Sequence, residues 1–483
     1  MLIVPRSEHA ISRRNIDPDA LKVLYRLQHF KYAAYLVGGS VRDLLLGRQP
    51  KDFDIGTDAH PYQIKKLFRN CWIIGRRFRL AHVRFGNKTI EVATFRRAIL
   101  PGTENEPATA DDRDAPADLM IRHDNTFGTP EEDAFRRDFT INALFYDLAS
   151  LSIIDYVGGL DDLRDGVIRS IGDPRQRFQE DPVRMFRAVA FAARLGFRLD
   201  QPVIEAIQEH RHLIANASPA RLIEEYYKVL RSGAAQETFR LLATHGLLEP
   251  ITPELHHSAG EDALWDSLGQ LDRYRRRFDT VPDTLTNAVL LGTLLVPLGL
   301  VTAEAAEKGF ANRDLQHTAA TAFAPDATRY RDASTGLPAV EPHRLEERLA
   351  SGRAARRRPP RPPKEPPVRI GLLPVARRDT DQLRQILAVQ RRLMDLESSP
   401  RAKRLLMRRS HFGEAMVWLE IHGRAPEALE HWRGFLEAAR AVSAEHAIDE
   451  PEPGEPALGA PQRRRRRRRG RRRSHGFDRR ERE

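Results

Sequence analysis

Between Tyr35 and Phe95 the apolar positions come in short runs broken by glycine and charge: AAYLVGG, SVRDLLLG, KDFDIGT, PYQIKKLFRN, AHVRF and TIEVATF. Runs of four to seven residues rich in β-branched and aromatic side chains predict strands, and the two segments with apolar residues three or four apart predict helices. A mixed sheet with helices is expected. After about residue 150 the strand pattern fades, and PVRMFRAVAFAARLGF, PARLIEEYYKVLRSG and AQETFRLLATHGLL show helical spacing. Two further stretches, DTDQLRQILAVQRRLMDL and EALEHWRGFLEAARAV, carry apolar stripes with basic opposite faces and define a third, helical block. The expected fold class is α+β, a mixed-sheet head followed by all-α blocks.

Punctuation sets the expected boundaries. Residues 101–118 (PGTENEPATADDRDAPAD) hold almost no large apolar side chain and are expected to form a mobile loop within the head. Six prolines in the nine residues 359–367 predict an extended linker. From Asp449 the chain turns Pro/Glu-rich and then arginine-rich, which predicts disorder. The organisation expected is an arm over 1–29, a head over 30–149, a helical neck over 150–225, a body over 226–350, a linker over 351–368, a helical block over 369–448 and a tail over 449–483.

Composition changes this picture mainly through charge. The chain has 483 residues and a formal net charge of +12. Ten arginines lie within 463–473, and 353–369 is also strongly basic, so the rest of the chain is mildly acidic. The tail suits RNA phosphates bound by counterion release; a solubility tail or a docking strip for an acidic partner are the other readings. Cys71 is the single cysteine, which excludes an intrachain disulfide framework and a thiolate zinc cluster. No signal-peptide core opens the chain, and the longest apolar stretch, Ala288 to Val301, has 14 residues and contains Pro297. A cytoplasmic soluble protein is expected. Phe191, Trp265, Trp418 and Trp432 are expected to be core residues.

The candidate chemistry starts at Asp52-Phe53-Asp54. Residues i and i+2 of a strand project to one face, so the two carboxylates would point together while Phe53 packs behind. Taken alone, such a pair is far more often a solvated strand end or turn. Gly38-Gly39-Ser40 precedes a helical VRDLLLG, a strand-to-helix turn with Ser40 as an N-cap and free backbone N–H groups that suit a phosphate, or else a plain turn. Glu91 interrupts the apolar run TIEVATF, either as an edge-strand side chain facing water or as the third member of a carboxylate set able to hold two Mg²⁺ ions. Pro182 would open a helix on which Asp181 and Arg184, three apart, share a face and either address a base edge or form a salt bridge.

Together the runs YLVGGSVRDLLLGRQPKDFDIGT, RRDFTINAL (136–144) and EDPVRMFRAV (180–189) resemble the class II nucleotidyltransferases of the polymerase beta superfamily, the bacterial poly(A) polymerases and CCA-adding enzymes. The likeness covers roughly residues 5–250. It implies that Asp52, Asp54 and Glu91 hold the metal ions and activate an RNA 3′-hydroxyl, with Asp138 counted among the catalytic aspartates. It further implies that Gly38, Gly39, Arg42, Arg137 and Asn142 meet the phosphates and ribose, and that Glu180, Asp181 and Arg184 select the base. The block from Ile73 to Val83, the N-terminal segment and LPVARRDTDQLRQILAVQRRL resemble the poly(A) polymerase branch. The activity implied is template-independent addition of AMP from ATP to RNA 3′ ends, promoting turnover with the RNA-decay machinery as a partner. CCA or A addition to tRNA is the alternative, and a silent RNA-binding adaptor the alternative of another class. Ser40 and Phe186 depart from commoner family residues, without touching a carboxylate.

Overall fold

The computed structural model describes residues 1–75, 79–97, 127–302 and 368–448. The loop expected at 101–118, most of the linker, the tail and residues 76–78 of the Ile73–Val83 block lie outside them. The chain divides into two units, Met1–Leu429 and Glu430–Glu483, so the block expected over 369–448 is split near its last helix.

The head is an eight-stranded sheet with helices. In chain order its elements are β1 (Leu2–Val4), α1 (Pro18–His29), β2 (Ala34–Val37), α2 (Gly39–Leu45), β3 (Asp54–Thr57), α3 (Pro61–Leu67), β4 (Cys71–Ile74), β5 (Leu80–Phe85), β6 (Lys88–Thr94), α4 (Pro130–Phe135), β7 (Leu144–Asp147) and β8 (Ser152–Asp155). Spatially the strands run β1-β8-β7-β2-β3-β6-β5-β4. All neighbours are antiparallel except β3 and β6. The expected mixed sheet is therefore present. Its limits are wider than the expected head: the segment read as an arm supplies β1 and α1, and β8 reaches past residue 149.

Local chemistry explains the framing helices. The Asp17 carboxylate accepts from Asp19 N at 2.8 Å and Ala20 N at 3.2 Å, and Pro18 needs no donor in the first turn of α1. Ala20, Val23, Leu24 and Leu27, spaced for one helical face, are fully buried. Gly56 is required by packing: a Cβ there would lie 2.6 Å from the Phe95 ring and 3.0 Å from Val37. Val37, Phe95, Ala134, Ala143, Phe145 and Ile171 form one core cluster beneath the site.

The helical part continues through α5 (Gly159–Asp165), a two-stranded ladder of β9 (Val167–Ile168) and β10 (Arg198–Leu199), α6 (Pro174–Glu180), α7 (Val183–Leu195), α8 (Gln201–His210), α9 (Pro219–Leu230), α10 (Ala235–Thr244), α11 (Pro253–His257), α12 (Asp262–Arg275) and α13 (Asn287–Leu295). Beyond residue 368 come α14 (Arg377–Met394), α15 (Pro400–Met407), α16 (Phe412–His422) and α17 (Pro426–Ile448). Among the described residues no helix is long and apolar enough to cross a membrane. Trp418 and Trp432 are buried, as expected of core residues, whereas Trp265 and Phe191 are only partly covered.

One packing contact makes a pH prediction. Gly292 leaves room for Trp418, since a Cβ at Gly292 would lie 2.4 Å from the indole. The His422 ring sits 4.2 Å from the Trp418 ring, its Nε2 is 3.3 Å from Thr293 Oγ1, and burial pushes its pKa down from 6.5 to about 3. The unfolded chain then binds a proton below pH 6.5 that the folded chain refuses. Stability from this site is complete above pH 6.5 and is lost as pH falls towards 3. His422→Gln is expected to flatten the fall of Tm with pH across that window; an unchanged slope in melting curves would refute the role.

Candidate active site

Register assembles the carboxylates. In the parallel pair β3–β6, Ile55 lies beside Val92, which sets Asp54 beside Glu91 one step up the same register. The antiparallel pair β2–β3 places Val37 opposite Asp54, so the Gly38–Gly39 turn leaves the sheet next to Asp54. Glu91 lies on an inner strand, not at an edge, with its side chain on an open face and His82 Nε2 at 3.5 Å from its Oε1. Asp54 is exposed at the start of β3, whose other residues are buried. Burial, then Glu91 and also Asp52, push its carboxyl up to about 6 against the pull of Arg137.

Asp52 departs from expectation. The strand starts at Asp54, so Asp52 sits in the preceding segment, 74% exposed, and pairs with Lys51 at 3.7 Å. Phe53 is buried behind, as expected. Among the described residues no group of three or more His, Cys, Asp or Glu side chains is gathered as a metal site. Asp54 and Glu91 share one register position, and Asp52, outside the strand, lies near enough to help raise the Asp54 carboxyl. A divalent cation fits the chemistry of this donor set, because hard carboxylate oxygens whose mutual repulsion raises Asp54 are what such an ion relieves.

The turn also differs in detail. Gly38, at φ 70°, caps α2, while the Ser40 hydroxyl donates to Val37 O at 3.0 Å instead of capping. The cause is that Gly39 already belongs to the helix. Gly38 N–H donates to Leu144 O at 3.1 Å and is not free. The positive φ of Gly38 favours glycine, and a Cβ there would lie 2.9 Å from Arg137 Nη1, so the guanidinium would have to shift to admit one.

Arg42 is buried. It donates to Asn142 Oδ1 at 2.5 Å and to Asp43 Oδ1 at 2.7 and 2.9 Å. Arg137 donates to Asp133 Oδ2 at 2.9 Å and to Asn142 O at 3.1 Å. Asp138 accepts from Asn142 Nδ2 at 3.1 Å, from Phe139 N at 2.9 Å, and from Arg187 Nη2 and Nε at 2.6 and 2.8 Å. Burial alone would raise this carboxyl; Arg187, Asn142 and Arg184 outweigh it and hold it at about 2. These are the residues expected to meet ribose and phosphates, gathered here into one hydrogen-bonded network.

The segment expected to select the base is built differently from the expected shared helix face. Asp181 ends α6 in an extended conformation and Pro182 is the N-cap of α7, so Asp181 and Arg184 do not lie on one helix. Asp181 accepts a two-pronged pair from Arg221, at 2.9 and 2.7 Å. Arg184 and Arg177 both donate to Glu180 Oε2, at 3.1 and 2.8 Å. The salt bridge between Asp181 and Arg184 is thus absent, and Pro182 explains it by breaking the helix between them.

Three residues escaped the sequence reading. Arg187 and Arg221 reach carboxylates 49 and 40 positions away. Arg194 lies 5.1 Å over the Phe191 ring, which Arg42 and Arg187 also flank at 5.3 Å, and burial followed by Arg42 pushes it down to about 10. Only the basic run along α7 could have hinted at this cluster.

Three family models match the chain: the poly A polymerase head domain over 34–169, a probable RNA and SrmB-binding site of polymerase A over 196–258, and the polymerase A arginine-rich C-terminus over 369–473. Poly(A) polymerase I of Escherichia coli O6:H1 is 52% identical over 253 residues, 52% of this chain and 54% of that protein. The CCA-adding enzyme of Bacillus pumilus is 36% identical over 255 residues, 53% of this chain and 59% of that protein. The chain therefore spans about half the length of the curated relatives it matches. The solved CCA-adding enzyme of Bacillus stearothermophilus in complex with CTP has the same fold, with a TM-score of 0.53, 23% identity, and 88% and 83% of the two chains covered. With Asp54 and Glu91 in register beside the glycine turn, the chain belongs to the nucleotidyltransferase family of poly(A) polymerases and CCA-adding enzymes.

Proposed function

We propose that this chain adds AMP from ATP to RNA 3′ ends without a template, releasing pyrophosphate. The observation that carries the reading is the Asp54–Glu91 pair beside Gly38–Gly39 in a head matched by the poly A polymerase model. The higher identity to poly(A) polymerase I than to the CCA-adding enzyme supports ATP-only extension.

In this reading Asp54, Glu91 and Asp52 would hold two Mg²⁺ ions, which supply charge neutralisation at the phosphates and a more acidic 3′-hydroxyl. The chain's own groups do the positioning. Arg137 and Arg42, each pinned by carboxylate and amide partners, present fixed positive charge beside the glycine turn. Asp138 and Asn142 hold each other in orientation, at 3.1 Å, for the ribose. Glu180 with Arg177 and Arg184, and Asp181 with Arg221, form two salt-bridged groups at the α6–α7 break, and exchange of either partner for a base edge would give base selection.

The test is the purified chain with Mg²⁺ and either an unstructured oligonucleotide or a tRNA lacking its CCA end, each with ATP or CTP alone. Long ATP-only ladders on the oligonucleotide are expected. A stop after one to three nucleotides, confined to the tRNA and including C, would place the chain in the CCA-adding branch.

A further inference from the structure

We propose that the open face of β4, β5 and β6 is a docking surface for the single-stranded RNA segment just upstream of the reacting 3′ end, with Trp72 as its base-stacking platform. This rests on the nucleotidyl-transfer reading and extends it to a surface no motif assigned.

The ladder registers draw the surface. Trp72 pairs with His82, and His82 pairs with Glu91, both antiparallel, while Asp54 lies beside Glu91. Residues directly opposite one another share a face, so Trp72, His82, Glu91 and Asp54 form one row across four strands. Two residues along, Ile74 and Arg84 lie on that same face. The opposite face is core: Cys71, Ala81, Val83, Ile90 and Val92 are buried, and α3 packs there.

Trp72 is 53% exposed and Ile74 50%, adjoining large apolar side chains on an edge strand. Such a pair on a sheet face that also carries reacting carboxylates marks a contact surface. Three strand spacings separate Trp72 from Asp54, about 14 Å, so a strand ending at Asp54 and Glu91 brings bases within a few nucleotides of its end over the indole. An aromatic face accepts every base, as an enzyme extending varied 3′ ends requires, and exposed Arg84 offers a phosphate contact. RNA is favoured over a protein occupant because the row is continuous with the carboxylates.

Primer extension with the full chain reads this directly. Trp72→Ala is expected to raise KM for an unstructured oligoribonucleotide about 5- to 150-fold, with kcat and KM for ATP unchanged. Trp72→Phe should recover most of the affinity. Independently, a 3′-deoxy oligoribonucleotide, which cannot be extended, should quench tryptophan fluorescence of the unsubstituted chain by a component missing in Trp72→Phe. An unaltered RNA KM and no such component would overturn the surface. So would equal damage to ATP KM in both variants, or loss of a dimer by Trp72→Ala without change in RNA affinity, which would give the face to a second copy. If the unsubstituted chain incorporates nothing, the functional reading fails, and the quenching titration still decides the surface.

Discussion

In the proposed reaction, Asp54→Asn is expected to lower nucleotide incorporation by about 10³-fold or more while leaving RNA binding intact, since a carboxylate that would hold a metal ion supplies several kcal/mol of charge stabilisation to the transition state. Folding should not suffer. The Asp54 carboxyl is raised to about 6 by burial and by Glu91 and Asp52, so its ionised form is disfavoured in the folded chain. A carboxyl raised on folding gives its full contribution to stability below its unfolded pKa near 4, and that contribution is lost as pH rises through 6. The neutral amide escapes this loss, so Asp54→Asn should melt at or slightly above the temperature of the unsubstituted chain at pH 7.5 and match it near pH 4. Incorporation and melting measured on one preparation separate the possibilities. Retained activity would remove Asp54 from the chemistry, and a lowered Tm with lost activity would make its role structural. Activity absent in both proteins, with RNA bound by both, would favour the silent adaptor.

How much of this was legible in the sequence follows from how each residue finds its partners. Asp54, Glu91 and the Gly38–Gly39 turn could be read because each lies within a short run whose strand or helix is plain, and the sheet needs only strand adjacency to join them. The Ser40 cap failed because the register of a helix start shifts by one residue at little energetic cost, and Gly39 could take the first helical position. Asp181 was placed on a helix because Pro182 fits a first helical turn; here it serves instead as the cap that separates α6 from α7. Asp52 was read as strand, but pairing with β2 begins only at Asp54. The ion pairs of Asp138 with Arg187 and Asp181 with Arg221 depend on tertiary packing of α7 and α9 that no local pattern encodes. Trp72 shows the opposite case: CWII alternates buried and exposed positions, yet only the β4–β5–β6 register reveals that its exposed face is also that of Glu91.

Arg187→Met is expected to destabilise the chain by about 1–3 kcal/mol, because truncating one partner of a partly buried ion pair leaves the other carboxylate with fewer donors. Asp138 is that partner. It is held near pKa 2, and Arg187, partly buried, is raised by Asp138 and Glu225 against the lowering effect of burial. The carboxyl is depressed on folding, so its contribution to stability is complete above its unfolded pKa near 4 and is lost as pH falls towards 2. The unsubstituted chain should therefore lose stability over pH 4 to 2 through this site. Asp138→Asn, which keeps the shape but not the charge, should lack that component of the loss. Arg187→Met should show its largest deficit at neutral pH and converge with the unsubstituted chain as Asp138 becomes protonated. Because the pair ties the segment after α4 to α7, which follows the residues expected to select the base, activity should fall with stability in Arg187→Met. Arg187→Lys, retaining charge without the two-pronged geometry of 2.6 and 2.8 Å, should fall between the two. Urea unfolding of the four proteins at pH 7.5 and at pH 3 reads all of these effects, and an Arg187→Met deficit that is the same at both pH values would show that the arginine acts through packing and not through Asp138.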